Sequence, residues 1–110
     1  VQEDAGQTAD AMGTYTITGG GLTHLHAMDG GHIRVQNKTI TITGTPGLTN
    51  GVATATRNGS IVLTGNAWSG ATSGARYNAS MCGTVFTGTA IQTTLPGSAN
   101  GVRVTGGQYA

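Results

Sequence analysis

Charge is what this chain has least of. Lys, Arg, Asp and Glu together make up 8 % of its 110 residues, against roughly 25 % in an average soluble domain. All four acids, Glu3, Asp4, Asp10 and Asp29, precede residue 30, and all five bases, Arg34, Lys38, Arg57, Arg76 and Arg103, follow it. The body beyond residue 30 therefore has no carboxylate, which argues against reactions that need two of them around one bond, glycoside hydrolysis above all. No serine has the setting of a nucleophile elbow. A net charge of +1 with dispersed bases and five aromatics leaves no nucleic-acid footprint. Cys82 is the one cysteine, so an intrachain disulfide is excluded and the residue reads as a small buried group. No apolar run approaches the roughly 20 residues of a membrane span. The chain opens on Val1 and not on methionine, as expected of a processed product or a fragment.

What is abundant is glycine and threonine, 20 of each. With 36 % hydrophobic residues, many of them alanine, the expected core is thin, and burial against neighbouring copies would add to it. Low charge together with many β-branched residues reads as folded β-structure and not as disorder. Lys38 to Gly44, Lys-Thr-Ile-Thr-Ile-Thr-Gly, alternates β-branched residues and stops at a glycine, which is a strand with a turn behind it. Imperfect copies run from Gly13 to Gly19, Gly59 to Gly65, Gly83 to Gly88 and Gly101 to Gly106. The closing glycines of the five units are Gly19, Gly44, Gly65, Gly88 and Gly106, at uneven but similar intervals. One strand unit per twenty-odd residues predicts an all-β parallel solenoid of about five short rungs, the five units occupying equivalent places. Counted more finely, the turns also fit an antiparallel sandwich of jelly-roll or immunoglobulin-like type. Residues 1–12 are expected to form an N-terminal arm and residues 13–110 a single β domain.

The Thr-Ile-Thr-Ile-Thr-Gly and Ser-Ile-Val-Leu-Thr-Gly units resemble rungs of the parallel β-helices of phage spikes and fibres and of surface adhesins. The resemblance covers residues 13–106 and implies a rigid, often trimeric shaft. It carries no catalytic residues over.

Several residues stand out as candidate sites. His24, His26 and His32 are the only histidines, and His24-Leu25-His26 sets two imidazoles on one side of a strand. Such pairs resemble the His-x-His ligands that three chains bring to iron at a trimeric spike tip. Within one chain His32 and Asp29 would complete a zinc set. No other cofactor is expected. Trp68 and Tyr77 flank a small-residue loop and are candidates for contact with a surface glycan or a partner. Asn37, Asn58 and Asn78 open three N-x-S/T sequons for glycosylation. The rows Thr14/Thr16/Thr18 and Thr39/Thr41/Thr43 put hydroxyls along one strand face, as on an ice-binding surface. Glu3, Asp4 and Asp10 oppose Arg57, Arg76 and Arg103 in charge, and the arm is expected to dock on a neighbouring copy near those arginines. The functional expectation is a non-enzymatic structural subunit of an extracellular or virion appendage, a filament, fibre, spike or surface decoration, whose main partners are copies of itself. A carbohydrate- or ice-binding module and a metal-stabilised trimeric tip are the alternatives.

Overall fold

The computed structural model describes residues 2–3, 8–10 and 15–110. Its strands are β1 (Gln2–Glu3), β2 (Thr8–Asp10), β3 (Tyr15–Ile17), β4 (Leu25–Ala27), β5 (His32–Arg34), β6 (Thr39–Ile42), β7 (Ala53–Ala55), β8 (Ser60–Val62), β9 (Ala67–Ser69), β10 (Tyr77–Ala79), β11 (Thr84–Phe86), β12 (Val102–Arg103) and β13 (Gln108–Tyr109). They pair only in parallel, in three sheets of order β1-β4-β7-β10-β12 (sheet A), β2-β5-β8-β11-β13 (sheet B) and β3-β6-β9 (sheet C). This is the solenoid, in about four turns bounded by five strand levels, and not the antiparallel sandwich. Residues 2–3 and 8–10, inside the segment expected to be an arm, extend sheets A and B of the same chain by pairing with β4 and β5.

Register defines the turn. In sheet A, Gln2 pairs with His26, His26 with Thr54, Thr54 with Asn78 and Asn78 with Val102. The step from His26 to Thr54 is the longest. The same lengthening shows in side-chain bonds between levels, which link positions 28 apart from His32 to Ser60 but 24 apart from Thr56 to Ser80. The excess falls between Ile40 and Thr54, on the way from sheet C back to sheet A, where the Thr45-Pro46-Gly47 and Asn50-Gly51 breaks lie. The five Thr-Gly units are consequently not equivalent. Those ending at Gly19 and Gly44 lie in sheet C, those ending at Gly65 and Gly88 in sheet B, and the one ending at Gly106 in sheet A. A strand followed by a left-handed turn occurs at more than one corner, so the motif marks strand ends without marking which face they belong to.

The corner between sheets A and B shows how the sequence makes a turn. Met28–Gly31, Thr56–Gly59, Ser80–Gly83 and Val104–Gly107 each close a four-residue turn, the last N–H donating to the first carbonyl at 2.8–2.9 Å. Both central residues have positive φ: Asp29 53° and Gly30 78°, Arg57 47° and Asn58 62°, Met81 46° and Cys82 62°, Thr105 49° and Gly106 76°. That is the type I′ pattern. The turns bond to one another, Gly30 N–H to Arg57 O at 3.1 Å, Asn58 N–H to Met81 O at 3.1 Å and Cys82 N–H to Thr105 O at 3.0 Å. Each turn ends on a buried glycine. A Cβ at Gly59, Gly83 or Gly107 would overlap the carbonyl of Ala27, Ala55 or Ala79 in the turn before, so nothing larger fits between levels. Cys82, expected to be buried, is exposed on this corner.

Alternation sends every second strand residue inward. Leu25, Ala53 and Tyr77 form one column, Ala27, Ala55 and Ala79 a second, and Ile33, Ile61, Val85 and Tyr109 a third. All are buried, and filling an isoleucine or leucine site in this way contributes roughly 1.5–3 kcal/mol. Column members trade size. Tyr77 lies where a Cβ on Gly101, its equivalent one turn on, would stand, and its ring stacks on Tyr109 at 4.1 Å and 10°. Strand β11 ends at Phe86, and the chain later bends through a 3₁₀ turn, Gln92–Thr94.

Candidate functional site

Two features of sheet C offer themselves to partners. The first is its outer face. The Thr-Ile-Thr-Ile-Thr alternation buries Ile40 and Ile42 and turns Thr39, Thr41 and Thr43 outward. Thr16, Thr41 and Ser69 stand in register across the three strands. No charged residue occupies an outward position of β3, β6 or β9, so the face is a small, neutral array of hydroxyl and methyl groups.

The second is a cleft of about 360 Å³ on the side of sheet C that ends at β9. Sheets A and B continue beyond the level of β9 through β10, β12, β11 and β13, whereas sheet C stops there. The chain bows out instead through the 3₁₀ turn and Pro96-Gly97. The hollow is lined by Asn66, Trp68, Gly70, Ala71 and Arg76 on one side and residues 93–97 on the other. Trp68 follows Tyr15 and Ile40 in the inward column of sheet C and packs against the core. Its indole N–H is shielded and has no hydrogen-bond partner among the described residues. Asn66 is fully engaged as a corner brace: its amide donates to Val35 O at 2.7 Å and Leu63 O at 3.2 Å, and its Oδ1 accepts from Lys38 N–H at 2.9 Å. Arg76 is half-buried and donates from Nη1 to Leu95 O at 2.6 Å, with no carboxylate partner among the described residues.

No protein-family model matches the chain, and comparison with curated proteins and with solved structures finds no match.

The three histidines have separate environments. His24, half-buried, accepts at Nε2 from the Tyr15 hydroxyl at 2.6 Å. Burial holds its pKa down to about 4 and pushes Tyr15 up to about 12, so the pair is a phenol donating to a neutral imidazole. His26 faces outward on β4, lowered by burial and by Arg57. His32 lies on β5, its Nδ1 2.5 Å from Ser60 Oγ. Among the described residues no three His, Cys, Asp or Glu side chains come together as metal ligands. Asp29, the fourth zinc candidate, pairs instead with Arg57 at 2.5 Å on the A–B corner.

The remaining candidates are dispersed. Tyr77 is 1 % exposed and belongs to the core, so it offers no ring to a ligand; only Trp68 reaches a cleft. Asn37 and Asn58 are exposed corner residues with positive φ, and Asn78 faces outward on β10. Arg57 and Arg103 lie on or beside the A–B corner and Arg76 in the cleft. Asp4 lies outside the described residues, as do the side chains of Glu3 and Asp10 and the whole of Thr14. Sequence reading missed the apposition of Trp68, Arg76 and residues 93–97. The signal was present but needed the register: one turn beyond Trp68, at the spacing of the later levels, comes Gln92, a polar residue where the column calls for an apolar one.

Proposed function

We propose that this chain is a non-enzymatic structural subunit of an extracellular or virion appendage, associating with copies of itself through the outer face of sheet C and through open strand edges. The observation that carries the reading is the uncharged threonine face. Thr16, Thr39, Thr41, Thr43 and Ser69 present methyl and hydroxyl groups with no charge to hold two such faces apart. Strands β12 and β13, each paired on one side only among the described residues, add unpaired backbone groups that invite further strands. Sedimentation velocity over a range of concentrations, with electron microscopy of the same material, tests it. Self-association should weaken when Thr41→Lys places a charge at the centre of the face, with the circular dichroism unchanged. A monomer at every concentration, identical in the variant, would refute the reading. The in-register hydroxyls also favour a second reading, an ice- or glycan-binding face. Thermal hysteresis or glycan retention by a monomer, abolished by the same substitution, would put it first.

A further inference from the structure

Sheet C leaves a strand edge open at its last level, away from the face that would pack between copies. Ala67 N–H donates to Lys38 O at 2.8 Å, and β9 pairs with β6 from Ala67 to Ser69. In a parallel ladder the N–H and C=O of alternate residues point to opposite sides. Those of Ala67 and Ser69 therefore turn toward β6, and those of Trp68 toward the cleft. Among the described residues the hollow thus has an unpaired donor and acceptor along one wall. Its floor is an aromatic side chain continuing the inward column. It also holds a guanidinium that no described carboxylate meets. Sheets A and B, which run on past this level, supply the geometric template for what is absent: one short strand.

We propose that the vacant level of sheet C receives an extended peptide strand bearing a carboxylate, presented by a partner polypeptide, which pairs with the free edge of β9 and sets its carboxylate on Arg76. Strand addition of this kind draws its affinity from main-chain hydrogen bonds and its specificity from alternate side chains. Here one inward side chain would pack on Trp68 beside the buried Leu95. The acid would meet Arg76, whose remaining N–H groups are free to donate beyond the bond to Leu95. A charge-assisted bond of this type is worth more than a neutral one and selects for the acidic residue.

The test uses the full chain and an acetylated, amidated peptide, Thr-Val-Asp-Val-Thr. Trp68 is the only tryptophan, so intrinsic fluorescence reports on the cleft. The expected result is a saturable fluorescence change, with hydrogen exchange at the Trp68 amide slowed at least about tenfold. The same peptide with Asn for Asp should bind about tenfold more weakly, and N-methylation of its central amide should abolish binding with the carboxylate still present. In Arg76→Gln the Asp and Asn peptides should bind alike. If that variant does not fold, the three peptides on the wild-type chain still decide. No response from the Asp peptide would overturn the proposal, and so would equal binding of the Asn peptide to the wild type. A galacturonate oligomer that titrates Trp68 while the peptide does not would overturn it in favour of a saccharide.

Discussion

Replacing Gly59 by alanine should be among the most damaging single-methyl additions this chain can receive. Gly59 has no left-handed φ, so conformation does not demand glycine there. Space does. The new Cβ would overlap the carbonyl carbon and oxygen of Ala27 and stand 2.8 Å from Met28 N, all backbone atoms of the turn before. None can rotate away as a side chain could. The levels must part locally, and the bonds flanking the site are Thr56 N–H to Ala27 O and Ser60 N–H to Gly31 O, both 3.0 Å. Weakening two such bonds costs about 1 kcal/mol each, and overpacking a fixed wall costs about 1–3 kcal/mol. The expected loss is about 3–5 kcal/mol, out of a total on the order of 5–15 kcal/mol for a domain of this size. Two controls isolate the cause. At Gly44, φ is +76° and no atom lies within 4 Å of the Cβ position, so alanine there should cost only the left-handed penalty, about 1–2 kcal/mol. At Gly21 there is neither obstruction nor a left-handed φ, and alanine should be neutral or stabilise by up to about 1 kcal/mol. Urea denaturation of the three variants supplies the comparison. A Gly59→Ala loss within about 0.5 kcal/mol of the Gly21→Ala value would refute close approach between levels as the reason for this glycine.

Cys82 sits at φ 62°, where the equivalent turns have Gly30 and Gly106, so Cys82→Gly should stabilise the fold by about 0.5–1 kcal/mol after the entropy of the unfolded chain is counted; a loss in thermal or urea unfolding would contradict this. His24 has a folded pKa lowered from 6.5 to about 4, so the unfolded chain takes up the proton first. Stability should therefore be full above pH 6.5 and fall by about 1–3 kcal/mol as pH drops toward 4, the range allowing for solvent screening. His24→Gln keeps an acceptor for Tyr15 and should flatten that slope, leaving the smaller part due to His26; an unchanged slope in urea titrations at pH 7.5 and 4.5 would exclude His24 as its source. Asp29→Asn tolerates the same positive φ and removes only the exposed pair with Arg57, so it should cost under about 1 kcal/mol, and the cost should vanish in high salt.

The residues themselves determined the local structure. Thr-Ile-Thr-Ile-Thr specifies a strand with isoleucine on one side and threonine on the other, because the pleat has a period of two wherever the strand is placed. Asp29-Gly30 marks one corner and Asn58 the next, because a left-handed backbone selects those residue types. What lay beyond local reading was which strand stacks on which. The Thr-Gly ends stand at Gly19, Gly44, Gly65, Gly88 and Gly106, whereas one column of the ladder runs through Gln2, His26, Thr54, Asn78 and Val102. The two series keep different intervals, because strand ends in all three sheets use the same signal. Register is chosen by contacts between residues a full turn apart, through hydrogen bonds and columns of matched volume. Tyr77 is core and not contact surface because its neighbour one turn on is Gly101. Cys82 is exposed because the second position of a type I′ turn faces outward here. Trp68 and Arg76 share a cleft because sheet C stops at the level of β9 while sheets A and B run on past it. Each of these depends on what occupies the next level, and a strand's own alternation is the same whichever level it joins.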